Sequence, residues 1–109
     1  MNSRSKGKRG ELEFAHFLEG MGVLAFRGAQ QRGGPDSPDV VTTLPVHFEV
    51  KRTETLQLEA AIEQAKRDSG STPWCVAHKK NRGEWIAIVD MEYLINLLKE
   101  FLPDDVEPP

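Results

Sequence analysis

A chain of 109 residues, 39% hydrophobic and 28% charged, has room for one core and not for two. Its single cysteine, Cys75, excludes an internal disulfide and a cysteine-rich zinc site, and the three histidines, His16, His47 and His78, are too scattered to suggest one. The net charge of −3 argues on its face against nucleic acid, but residues 1–52 carry eight Lys/Arg against six Asp/Glu, and residues 53–109 carry six against eleven.

The first ten residues, MNSRSKGKRG, hold Arg4, Lys6, Lys8 and Arg9 and no acid, and read as a flexible basic arm over residues 1–10. A folded domain over residues 11–101 and an acidic tail over 102–109 follow. In GELEFAHFLEGMG, the residues Phe14, Phe17, Leu18 and Met21 share one side at 100° per residue, and Gly20 and Gly22 supply a helix stop. On that wheel Glu11 projects from the apolar side between Ala15 and Leu18, while Glu13 and Glu19 point away. Residues 23–27 are a short β-prone run leading into the glycine-rich loop GAQQRGGPDSP.

Residues 39–43 read as a second strand closed by Leu44-Pro45, and VHFEVK alternates cleanly, with Val46, Phe48 and Val50 on one face and His47, Glu49 and Lys51 on the other. Strands so closely spaced are expected to form a hairpin. LQLEAAIEQAKRDS, residues 56–69, is rich in helix formers and places Leu58, Ala61, Ile62 and Ala65 at helical spacing. Residues 74–78 and 84–89 are two further strands joined by the cationic turn KKNRG, and residues 91–102 form an amphipathic helix. Its stripe of Leu94, Leu97, Leu98 and Phe101 suits either the core or a dimer contact. Trp74 and Trp85 suit the core, and Cys75 suits a buried small hydrophobe. The order αβββαββα describes an α/β domain, a small mixed sheet flanked by helices. No apolar run approaches the roughly 18 residues of a membrane span and no signal-peptide core is evident, so a cytoplasmic protein is expected.

Asp39 opens a strand directly after Pro38, and Glu49 and Lys51 share one strand face through their i, i+2 spacing. In a tight hairpin Asp39 comes level with them, and facing residues on paired strands are about 5 Å apart, a gap that a divalent ion bridges. Glu11 approaches from the first helix if that helix packs on the sheet. Mg²⁺ takes oxygen ligands at ~2.1 Å and few protein carboxylates, so this set suits metal-assisted phosphodiester hydrolysis. Asp39 and Glu49 are the candidate ligands, the carbonyl of Val50 a further one, and Lys51 would orient the attacking water. Taken singly, Glu11 could serve only the helix dipole, Asp39 a turn, and Glu49 with Lys51 a surface ion pair.

At these residues the chain resembles the PD-(D/E)XK nucleases: Glu11, Pro38-Asp39 and Glu49-Val50-Lys51 match their signature in order and spacing. Within that superfamily it is most similar to the archaeal-type Holliday junction resolvases, through KGKRGELEFAHFLEGMG, the long loop before PDVV, and Gln64 in the second helix. The likeness covers about residues 5–95. It implies a restriction-endonuclease-like core, Glu11, Asp39 and Glu49 as ligands of Mg²⁺ (Mn²⁺ as substitute), Lys51 as catalytic, and Gln64 near the active site. It further implies a homodimer that cuts four-way DNA junctions. The resolvase pattern usually has a serine ahead of PD; the loop at 28–37 offers Gln30, Gln31 and a late Ser37. A flap, end or restriction nuclease, or a DNA-binding module of this fold without catalysis, are the alternatives. Arg4, Lys6, Lys8, Arg9, Arg27, Arg32 and Arg52, with the turn Lys79, Lys80 and Arg82, would contact DNA phosphates.

Overall fold

The structure is a computed structural model that describes residues 3–28 and 40–104, with side chains from Gly7 onward. Asp39, Arg32 and Ser37 lie outside the described residues, as do the side chains of Arg4 and Lys6. The elements are α1 (Ser3–Gly20), β1 (Ala25–Arg27), β2 (Val40–Thr42), β3 (His47–Arg52), α2 (Leu58–Ser69), β4 (Trp74–Lys79), β5 (Ile86–Val89) and α3 (Met91–Lys99). Their order is that expected from the sequence, and among the described residues the fold is α/β, with three helices, a mixed three-stranded sheet and a two-stranded ladder.

The sheet is built on β4. β3 pairs with it in parallel, Glu49 opposite Val76 and Lys51 opposite His78, and β5 pairs with its other side antiparallel. A parallel pair needs a crossover, and α2 provides it. Among the described residues the expected hairpin of the second and third strands does not form. β2 pairs antiparallel with β1 instead, Phe26 opposite Val41, and among the described residues these two strands make a separate ladder. The physical reason is the connection: residues 43–46 form consecutive bends, with Leu44 N–H donating to Thr42 Oγ1 at 2.9 Å, so the chain leaves β2 by an irregular turn.

The first helix begins at Ser3, seven residues before the expected start at Gly10. Arginine and lysine are good helix formers, which carries the helix through the basic segment despite Gly7. Gly10 has a different task. It is buried, and a Cβ placed on it would lie 2.6 Å from Cβ of Arg52, so its bare backbone is what lets α1 approach β3.

Alternation along β3 separates the two faces of the sheet. Phe14, Ala15 and Leu18 of α1 pack with Ala25, Val40 and Ala77, against Phe48, Val50 and Trp85. Phe14 meets Phe48 at 5.0 Å and Trp85 at 4.9 Å between ring centroids. On the opposite face Ala61 and Ala65 of α2 pack on Val76 beside Trp74 and Ile88. Both tryptophans thus flank the core, and Cys75 is buried. Phe17 and Met21, expected in the core, are 41% and 68% exposed because the α1 stripe turns toward Ala15. α3 begins at its N-cap Asp90, which accepts from Tyr93 N–H at 3.0 Å, and buries none of its residues.

Candidate active site

β3 aims His47, Glu49 and Lys51 at the α2 side of the sheet. The Glu49 carboxylate is at the centre: the residue is 2% exposed, an unusual setting for an acid. Its Oε1 lies 3.6 Å from Lys51 Nζ and its Oε2 lies 3.9 Å from His47 Nε2, beyond hydrogen-bond reach in both cases. Gln64, on the inner face of α2, accepts from Lys51 Nζ at 2.9 Å and fixes that ammonium beside Glu49. Glu49, Lys51 and Gln64, singled out separately in the sequence, are therefore brought together.

Val50 is placed by strand parity. His47 N–H donates to Pro73 and Thr53 N–H donates to Lys79, so the odd-numbered residues of β3 direct their backbone groups at β4. The carbonyl of Val50 accordingly faces the other edge, the edge that has no strand partner among the described residues.

Glu11 is elsewhere engaged. It sits on α1, which covers the Phe48/Val50 face, and it accepts from Arg27 Nε at 3.0 Å. Arg52, another expected phosphate contact, donates to Glu13 at 2.6 Å and to Asn81 at 3.0 Å, and Lys79 also reaches Glu13, at 3.3 Å. Glu13, expected to point away, thus ties α1 to β3 and β4. Burial pushes its pKa up, but the hydrogen bonds and charges of Arg52 and Lys79 outweigh burial and hold the carboxyl below its ordinary value. Lys8 and Arg9 are exposed on α1.

Two residues that the sequence did not assign to the site stand beside Glu49. His47, Glu49 and Asp68 each offer a ligand atom, all within 4.8 Å of one another, and the group could hold a metal ion. Asp68 lies one helical turn beyond Gln64, on the same side of α2. The alternation of β3 already put His47 on the Glu49 face; Asp68 carries no comparable signal, because its nearness depends on how α2 crosses the sheet. No family model, no curated protein and no solved structure matches the chain. The functional reading therefore stands on the residues themselves.

Proposed function

We propose that the protein is a Mg²⁺-dependent endodeoxyribonuclease of the PD-(D/E)XK type that cuts branched DNA, four-way junctions foremost, as a homodimer in the cytoplasm. The observation that carries the reading is a carboxylate buried on a strand with no hydrogen-bond donor within 3.5 Å among the described residues, beside a lysine two residues on that is itself held by a glutamine. A structural ion pair would close to hydrogen-bond distance or stay in water. A carboxylate left short of donors in the interior is suited to a cation.

Glu49 and the outward carbonyl of Val50 are oxygen donors of the kind Mg²⁺ takes, with Asp39 as the third; Mn²⁺ would substitute. Such an ion supplies an acidified water and neutralises charge on the phosphate. Lys51, steered by Gln64, orients the attacking water and stabilises negative charge that develops on the phosphoryl oxygens. Glu11 holds Arg27 at the mouth of β1, positioning a guanidinium for a DNA phosphate. Lys8 and Arg9 add sequence-independent affinity that falls with salt. The exposed apolar residues of α3, Ile95, Leu97 and Leu98, with Phe101 beyond it, offer a surface to a second copy, which would bring a second active site to the opposed strand.

The test is cleavage of a four-way junction with and without Mg²⁺, beside matched linear duplex and single strand. Glu49→Ala and Asp39→Ala should each abolish cleavage while junction binding persists; cleavage surviving in either overturns the reading. Equal cutting of linear duplex would move the assignment to another nuclease of the same type.

A further inference from the structure

We propose that His47, Glu49 and Asp68 form a binding site for one divalent transition-metal ion, taking Zn²⁺ more tightly than Mn²⁺ and Mg²⁺ least. The site lies between β3 and α2, and Val50 and Glu11 have no part in it. It does not rest on the nuclease reading.

Each of the three donors is poorly placed without a cation. His47 Nε2 is inaccessible to water and has no hydrogen-bond partner among the described residues, although buried ring nitrogens are normally satisfied. The Glu49 side chain is 3% exposed and has no donor within 3.5 Å among the described residues, its nearest cation being Lys51 at 3.6 Å on the Oε1 side. Asp68 is in the last turn of α2, where the helix carbonyls make the end negative and a carboxylate is disfavoured. These groups come from two elements and point to one spot, with ligand atoms within 4.8 Å of one another.

The spacing suits an ion. Two ligands each about 2.1 Å from a common centre lie about 3.0–3.4 Å apart at tetrahedral or octahedral angles. His47 Nε2 and Glu49 Oε2 are 3.9 Å apart, so a rotamer adjustment of a few tenths of an ångström closes the pair on an ion. Donor chemistry then selects it. An imidazole with two carboxylates favours zinc-like ions over Mg²⁺, which prefers oxygen, and affinity rises from Mn²⁺ to Zn²⁺. Because Oε1 of Glu49 faces Lys51 and Oε2 faces His47, the two oxygens address different neighbours. An ion on the Oε2 side leaves the Lys51–Gln64 contact intact.

The test is calorimetric titration of the chelator-treated full chain with Zn²⁺, Mn²⁺ and Mg²⁺. The expected result is one Zn²⁺ per chain, with affinity falling in the stated order. His47→Gln and Asp68→Asn should each weaken Zn²⁺ binding tenfold or more while circular dichroism stays native, and Glu92→Gln, on the exposed face of α3, should leave it unchanged. No Zn²⁺ binding by the wild type, or a change below threefold in both folded variants, overturns the site. If the variants do not fold, imidazole NMR of the wild type decides. Zn²⁺ should move the His47 ring and spare those of His16 and His78; movement of the His16 ring alone overturns the proposal. Zn²⁺ binding in a chain that cleaves no DNA upholds this site and removes the nuclease reading. Cleavage in a chain that binds no Zn²⁺ removes this site and upholds the other.

Discussion

Replacing Glu49 by glutamine should make the metal-free protein more stable. The carboxylate is 2% exposed, and withdrawing an ion from water costs several kcal/mol even after the protein relaxes. Lys51 Nζ at 3.6 Å returns at most about 4–5 kcal/mol at an effective dielectric near 20. The lysine side chain is 30% exposed, so solvent screens that return substantially. Glutamine keeps the shape and removes both terms. The ammonium left behind is not stranded, because Gln64 still accepts from it at 2.9 Å and water reaches it. The balance favours Glu49→Gln by about 1–2 kcal/mol, within the range seen when buried ion pairs are replaced. At roughly 4–8 °C of melting temperature per kcal/mol for a domain near this size, the effect is easily measured. Urea denaturation of both proteins in chelator is the assay. Divalent ion at a hundredfold its Kd should then stabilise the wild type by about 2.7 kcal/mol and leave the variant unmoved. A Glu49→Gln protein less stable than wild type by more than about 1 kcal/mol in chelator would refute the reasoning, since it would mean that the carboxylate is a structural partner rather than a group kept for a cation.

Two further outcomes test the packing. Gly7→Ala and Gly10→Ala make the same change on one helix, yet Gly7 has open space around it while the new Cβ at Gly10 would lie 2.6 Å from Arg52 Cβ. Thermal melts should show Gly7→Ala gaining about 0.5–1 kcal/mol from helix propensity and Gly10→Ala losing about 1–2 kcal/mol to overpacking; shifts of the same sign would refute the α1–β3 contact. Burial pushes the Cys75 thiol up to about 11, so at pH 8 it is held as the unreactive thiol. A disulfide exchange reagent should titrate no cysteine in the native chain and one in urea, and stoichiometric labelling of the native chain would contradict the core around β4.

The local pattern of the chain was legible because it is periodic. His47 to Arg52 alternates as a strand must, and Leu58 to Ser69 is made of helix formers, so both elements lie where the residues place them. Pairing was not legible. The short link between the second and third strands suggests a hairpin, but the chain leaves β2 through the bends at 43–46, and β2 pairs with β1, Phe26 opposite Val41. The role of Glu13 is hidden for a related reason: a helical wheel shows which side of a helix is apolar but not that Arg52 and Lys79 stand within reach of a residue beside that stripe. In the site, Glu49 and Lys51 are legible from residue type and strand spacing and Gln64 only through the family resemblance, whereas Asp68 enters through the crossing of α2 over β3, which no local pattern encodes.

The two faces of β3 divide packing from chemistry, and one set of contacts guards both. Phe48 and Val50 are fixed against α1 by Phe14 and by the close seat of Gly10 on Arg52. A strand slipped by one residue would turn His47, Glu49 and Lys51 into that apolar layer and Phe48 toward α2. Burying two charged groups there without Gln64 or water would cost more than any rearrangement of α2 could return. The aromatic contact of Phe14 with Phe48, on the opposite face of β3, is thus what keeps the Glu49 carboxylate facing α2. Changes to Phe48 should therefore act on the site through register rather than through chemistry.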